Sequence, residues 1–205
     1  MTTDPLLKYR EQHKHRLNYM PWLYWSLKPK HREWADVWQD EYQAYLMEME
    51  TIEIGKNCFI SPLAHIFAER GRKISIGDNT FIAADCTLHG PLEIGNEVAI
   101  NHHCILDGGR AGIKLHDQVR IAAYSHLYAF DHGMDLDRPI YQQAVTSKGI
   151  EIGRDVWLGA HVGIKDGVKI GHHAVVGMNS MVTKNIEDFA IVAGNPARLI
   201  RYRTE

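Results

Sequence analysis

Residues 150–182 read IEIGRDVWLGAHVGIKDGVKIGHHAVVGMNSMV, and one column in this stretch decides the fold. Ile152, Leu158, Ile164, Ile170, Val176 and Val182 are all aliphatic and fall six residues apart. The same step runs through Ile76, Ile82, Leu88, Ile94, Ile100 and Leu106, and through the shorter series Ile54, Ile60, Ile66 and Leu115, Ile121, Leu127. A second column lies two residues before each anchor, as at Ile74, Thr80, Cys86, Leu92, Val98 and Cys104, and at Ile150, Val156, Val162, Val168, Ala174 and Ser180. Residues two apart on a strand share a side. Each unit is therefore a short strand with two inward side chains. An α-helix is excluded, because its apolar stripe recurs every three to four residues. The residue after the anchor is often small (Gly55, Gly77, Gly95, Ala122, Gly153, Gly171), which predicts a tight corner between strands.

Strand and corner in alternation wind the chain around a core. Every third anchor along the chain is Ile54, Ile76, Ile94, Leu115, Ile152 and Ile170, though the period alone does not fix how many units make one coil. The register slips at residues 69–73, at 108–112 and at the long stretch 128–149, predicted to be an external loop. A long loop on a regular scaffold usually carries function. The pattern turns Cys58, Cys86 and Cys104 inward as small hydrophobes, which argues against a cysteine nucleophile or metal ligand set.

The chain divides at this level into a cap over residues 1–50, a repeat body over 51–187 and a tail over 188–205. Trp34, Val37, Trp38, Tyr45 and Leu46 have helical spacing, so a helix is expected from about Pro29 to Glu48. It would cover the open end of the coil, with Trp22, Tyr24 and Trp25 as alternative acceptor contacts. In the tail, Gly194-Asn195-Pro196 reads as a turn and Pro196 as the opening of a short helix. A formal net charge of −2 gives no general attraction to nucleic acid or an anionic membrane. No apolar run approaches the ~18 residues of a membrane helix. The opening residues lack a basic start and a long apolar core, and three cysteines cannot all pair, so a reducing cytoplasmic setting is expected.

The repeat, with Val156-Trp-Leu-Gly159, Met181-Val-Thr-Lys-Asn-Ile186 and Ala193-Gly-Asn-Pro-Ala-Arg198, resembles the hexapeptide-repeat acetyltransferases. The resemblance is to the subgroup with galactoside, maltose, nodulation and polysaccharide O-acetyltransferases. It implies a mainly β fold, a left-handed parallel β-helix with three units per coil. It also implies acetyl-CoA as donor, no metal, a sugar or polysaccharide hydroxyl as acceptor, and a homotrimer with sites between subunits. The family's base is a histidine early in the loop, here matched by His132. An asparagine one coil earlier, matched by Asn101 with His102 competing, would orient the acceptor or the oxyanion. Coenzyme A would meet Gly159, Ala160, Met178, Thr183, Lys184, Arg198 and Arg201, the cations serving its phosphates. Trp157, flanked by two inward residues, points outward and becomes a substrate contact with Asp131.

Two other readings use the same scaffold. A γ-class carbonic anhydrase holds zinc with three histidines, for which His126, His132 and His161 are the candidates among thirteen. A xenobiotic acetyltransferase shares the prism and the loop histidine. A non-catalytic binding scaffold needs neither the loop nor the basic tail.

Overall fold

The structure is a computed structural model that describes residues 5–203. Residues 1–4 and 204–205, the extreme ends of the expected cap and tail, lie outside the described residues. Parallel strands of two or three residues stack into three faces. Face A holds Ile52–Ile54, Ile74–Ile76, Leu92–Ile94, Ile113–Leu115, Ile150–Ile152 and Lys169–Ile170. Face B holds Phe59–Ile60, Phe81–Ile82, Ala99–Ile100, Arg120–Ile121, Trp157–Leu158 and Val175–Val176. Face C holds His65–Phe67, Thr87–His89, Ile105–Asp107, His126–Tyr128, Gly163–Ile164 and Met181–Val182. The anchors pair in straight columns, with Ile54 on Ile76, Ile76 on Ile94, Ile94 on Leu115, Leu115 on Ile152 and Ile152 on Ile170. The coil starts that follow from three units per coil, as the resemblance implied, are the face A strands.

Both inward columns are buried, the three cysteines among them and unpaired. Each buried aliphatic side chain contributes roughly 1.5–3 kcal/mol over its exposed state. Inward hydroxyls are satisfied: Thr80 Oγ1 donates to Gly95 O, and Ser125 Oγ to Gly159 O. Among the described residues no helix is long and apolar enough to cross a membrane.

The corners turn by a device other than the expected one. A left-handed residue sits three before the anchors of face B and most of those of face C: Asn57, Asn79, Asp85, Glu97, His103, Gln118, Tyr124, Asp155, His161, His173 and Asn179 all have positive φ. The glycine after the anchor answers a different demand. A Cβ on Gly77 would lie 2.6 Å from the carbonyl carbon of Gly95 in the next coil. Glycine is there for close stacking of coils. Nor is the small-residue rule general. It holds at many corners leaving faces A and B, whereas the residues leaving face C are Phe67, His89, Asp107, Tyr128, Lys165 and Thr183.

The cap comprises two α-helices, α1 (Pro5–Tyr19) and α2 (Pro29–Met49), joined through a 3-10 turn at Pro21–Ser26. Helix α2 matches the expected span, and α1 is an addition. Helix α2 supplies the hydrogen bonds that a further coil would have made. Gln39 Nε2 donates to Ile60 O while Gln39 Oε1 accepts from Ile60 N. Gln43 Nε2 donates to Cys58 O, and Glu50 accepts from Ala68 N. Leu46 plugs the core. The tryptophan-rich turn covers the outside of face B instead: Tyr24 packs on Phe59 and Trp25 on Phe81.

The expected C-terminal helix is absent. Ala190–Ala193 extends face B and Arg198–Tyr202 pairs back on it antiparallel, with Gly194-Asn-Pro-Ala197 as the turn. The physical reason is the open edge left by the last coil. The hairpin fills it, and its turn also serves face C, where Met181 N donates to Gly194 O and Ala197 N to Met181 O. A helix would have left those groups unpaired.

The long loop leaves the C-to-A edge as a small arm. Asp131–His132 pairs antiparallel with Val145–Thr146. Ser147 Oγ bonds Ala129 O and accepts from Arg110 N and Ala111 N. Asp166, only 7% exposed, accepts from the amides of Lys148 and Gly149.

Gln39→Leu orphans a buried N–H and C=O together and should lower unfolding free energy by roughly 2–4 kcal/mol in urea denaturation. Gly77→Ala, forced against backbone, should cost about 1–3 kcal/mol in the same assay. Asp166→Ala frees the returning end of the arm, and limited proteolysis within 131–147 should accelerate by at least about tenfold while the melting of the prism changes little.

Candidate functional site

The arm carries its histidine on the second residue of a two-residue strand. His132 is exposed, and among the described residues its imidazole makes no hydrogen bond. Its neighbour is the Phe130 ring, with centroids 6.3 Å apart, edge to face. Phe130 in turn meets Tyr128, and Tyr128 meets His126, so a row of rings leads from face C out along the arm. Successive strand residues face opposite ways. Accordingly the Asp131 carboxylate turns back to the prism and pairs with Lys165 Nζ at 2.8 Å. This contact holds the Lys165 ammonium above its ordinary pKa.

Asn101 lies on the other edge of face C, where the chain passes from face B. Its side-chain amide donates to Ile121 O at 2.9 Å, tying one coil to the next. Within one chain the two candidate catalytic residues therefore flank face C from opposite edges. Beside Asn101, His102 Nδ1 and His103 Nδ1 approach to 3.0 Å, and burial lowers the pKa of His102. Tyr19, from the end of α1, donates to Asp85, which also faces His103 Nε2 at 3.5 Å. The rings of His103, Tyr124 and His161 then stack along this edge, the last pair 4.9 Å apart and 4° from parallel.

The expected cofactor residues fall into three groups. Gly159, Ala160 and Met178 meet on the B-to-C edge: a Cβ on Gly159 would strike Met178 N at 2.7 Å, and Asn179 N donates to Ala160 O. Thr183 and Lys184 follow the last face C strand, on the C-to-A edge, and are exposed. Arg198 and Arg201 lie on the final strand and make no ion pair among the described residues. Trp157 points outward on face B, 54% exposed, between Arg120 and Val175. Face C, with Gly163 beneath His126 and Met181, lies between the first two groups.

A groove of about 1,000 Å³ lies elsewhere. It runs along face A, where Lys114 pairs with Glu93 and Lys169 with Glu151. His116 and Lys169 hold Glu151 below the usual carboxylate range. These charges satisfy one another between coils. His126, His132 and His161 stand respectively on face C, on the arm and on the B-to-C edge. Among the described residues no group of three or more His, Cys, Asp or Glu side chains is placed to hold a metal ion.

Two family models match: bacterial transferase hexapeptide (six repeats) over residues 149–184, and hexapeptide repeat of succinyl-transferase over 73–101. A probable acetyltransferase of Mycobacterium tuberculosis is 32% identical over 136 residues, 66% of this chain and 44% of that protein, so the chain spans less than half of that relative's length. A galactoside O-acetyltransferase of Lactococcus lactis is 30% identical over 170 residues, 82% of this chain and 70% of the relative. A crystal structure of a mutant of AntD, an N-acyltransferase from Bacillus cereus in complex with dTDP and coenzyme A, superposes with a TM-score of 0.70 at 30% identity, covering 79% of this chain and 89% of that one. With its six-residue period folded into three faces and its likeness to these enzymes extending over most of its length, the chain belongs to the hexapeptide-repeat acetyltransferase family.

Proposed function

We propose that the chain moves an acetyl group from acetyl-CoA to a hydroxyl of a saccharide acceptor, with His132 as general base. The observation that carries this reading is an imidazole with no hydrogen bond of its own, displayed on an arm clamped to the scaffold. Imidazole is the side chain suited to take and return a proton near neutrality. It would remove the acceptor proton as the oxygen attacks the thioester carbonyl. The departing thiolate of coenzyme A would then be protonated, with no acyl-enzyme formed. The three buried thiols offer no rival nucleophile.

Support for a saccharide comes from the galactoside enzyme and from a further AntD mutant structure, in complex with dTDP-4-amino-4,6-dideoxyglucose and coenzyme A. Gly159, Ala160 and Met178 would line the pantetheine arm, with Thr183, Lys184, Arg198 and Arg201 toward the phosphates. Asn101 would serve the oxyanion and Trp157 the acceptor. The placement of His132 and Asn101 on opposite edges of face C fits a homotrimer in which the arm of one subunit reaches the B-to-C edge of the next. A cytoplasmic location accords with the free thiols and the donor.

The test is a screen of galactosides, a dTDP-linked amino sugar and chloramphenicol with acetyl-CoA, reading thiol release and product mass. Transfer to oxygen is expected. His132→Ala should lower transfer roughly 10²- to 10⁴-fold and leave acetyl-CoA binding intact. Transfer at the wild-type rate in that variant would remove His132 from the mechanism, and acetylation confined to the amine would replace the hydroxyl acceptor.

A further inference from the structure

We infer that Lys165 is a positioning residue, whose ammonium fixes the direction of the His132 imidazole by holding the carboxylate of Asp131. This rests on the reading of His132 as the base. Three observations lead to it.

First, the position is out of pattern. The residue leaving an anchor on faces A and B is often small where the next coil passes close, as at Gly77 and Gly159. The C-to-A edge breaks that rule with a column of large or polar side chains: Phe67, His89, Asp107, Tyr128 and Lys165. This is also the edge from which the arm springs. Glu69 holds His89 at 3.0 Å, with Asp107 on the other ring nitrogen at 3.5 Å, so the first coils use these residues among themselves. Tyr128 packs on Phe130 of the arm, and Lys165 reaches it with an ion pair.

Second, the strand that bears His132 has few other attachments. Asp131–His132 is two residues long and pairs with a strand of the same arm, not with the prism. The clamps at Ser147 and Asp166 act on the returning end of the arm and on its root at Ala129. The ion pair from Lys165 to Asp131 is the salt bridge that ties the outgoing strand to the scaffold. Lys165 is itself well placed to serve as the fixed end, since its amide donates to Val182 O in the following coil.

Third, the geometry couples the two side chains. Adjacent residues on an extended strand present opposite faces. When Asp131 is drawn down onto the prism, His132 is driven outward with Phe130 against its flank. Release of Asp131 frees the strand to roll, and the imidazole with it. A misplacement of about 1 Å in a catalytic group can cost roughly 100-fold in rate. The arm is exposed, so the contribution of the ion pair to global stability is small.

The test uses the full chain as Lys165→Met, Lys165→Arg, Asp131→Asn and the Lys165→Met/Asp131→Asn double variant. Hydrogen exchange should run about tenfold faster across residues 131–146 in K165M and in D131N. The double variant should be no faster than either, and K165R should stay near wild type. Thiol release from acetyl-CoA alone, with water as the acceptor, gives a rate that needs no identified sugar. In K165M its kcat should fall about 10- to 100-fold, with KM for acetyl-CoA and the melting midpoint unmoved. K165R should restore it. If K165M exchanges and turns over as wild type while His132→Ala is inactive, the inference fails and the base assignment stands. If His132→Ala releases thiol at the wild-type rate, the base assignment itself fails and Lys165 has nothing to position.

Discussion

The backbone of each coil finds its hydrogen-bond partners only in the coils above and below it, and the rest of the molecule follows from that dependence. Parallel strands of two or three residues have no stability alone, so the columns must stay in register over the full stack. Three features meet this demand. Left-handed residues three before most anchors turn the corners. Glycines such as Gly77 let backbones approach to distances that no Cβ permits. Insertions are confined to corners, where they interrupt no ladder. The arm of residues 129–149 is such an insertion, and it carries the proposed base without disturbing the stack.

The same dependence makes the two ends a problem, solved by different means. At the start, side chains of α2 imitate a strand: the amide of Gln39 both gives to and takes from Ile60, as a neighbouring peptide group would. At the finish, the chain itself turns back as a hairpin whose turn closes face C while its strands close face B. Face A is finished by Ile186, which bridges Ile170.

Much of the fold was legible in the sequence because a period of six is a property of the inward face alone. Ile54 through Ile170 mark the coil starts, and the three slips mark the insertions. The helix of Trp34, Trp38 and Leu46 was equally plain. What escaped depended on partners distant in the chain. Arg198–Tyr202 carries a proline turn and cations that suit a helix locally, and only the vacant edge of face B makes it a strand. Helix α1 buries little beyond Leu17, so it has almost no apolar stripe to read. At the site, His132 and the cofactor residues came from resemblance to a family rather than from spacing. Lys165 and Asp166 were invisible because they act across the arm, 34 and 18 residues from their partners Asp131 and Lys148. The one signal they left was a lysine after an anchor, where faces A and B often place a glycine or alanine.

The reversal of the final strand has a consequence for solubility. A stack of parallel coils that ended bare would present a template onto which another copy could add, and then another, in the manner of a growing fibre. Running the last strand backwards spoils the match for an incoming parallel coil, and arginines at 198 and 201 place like charges where two such ends would meet. The tail thus sets the length of the solenoid. The glutamines of α2 cover the backbone of the first coil at the opposite pole.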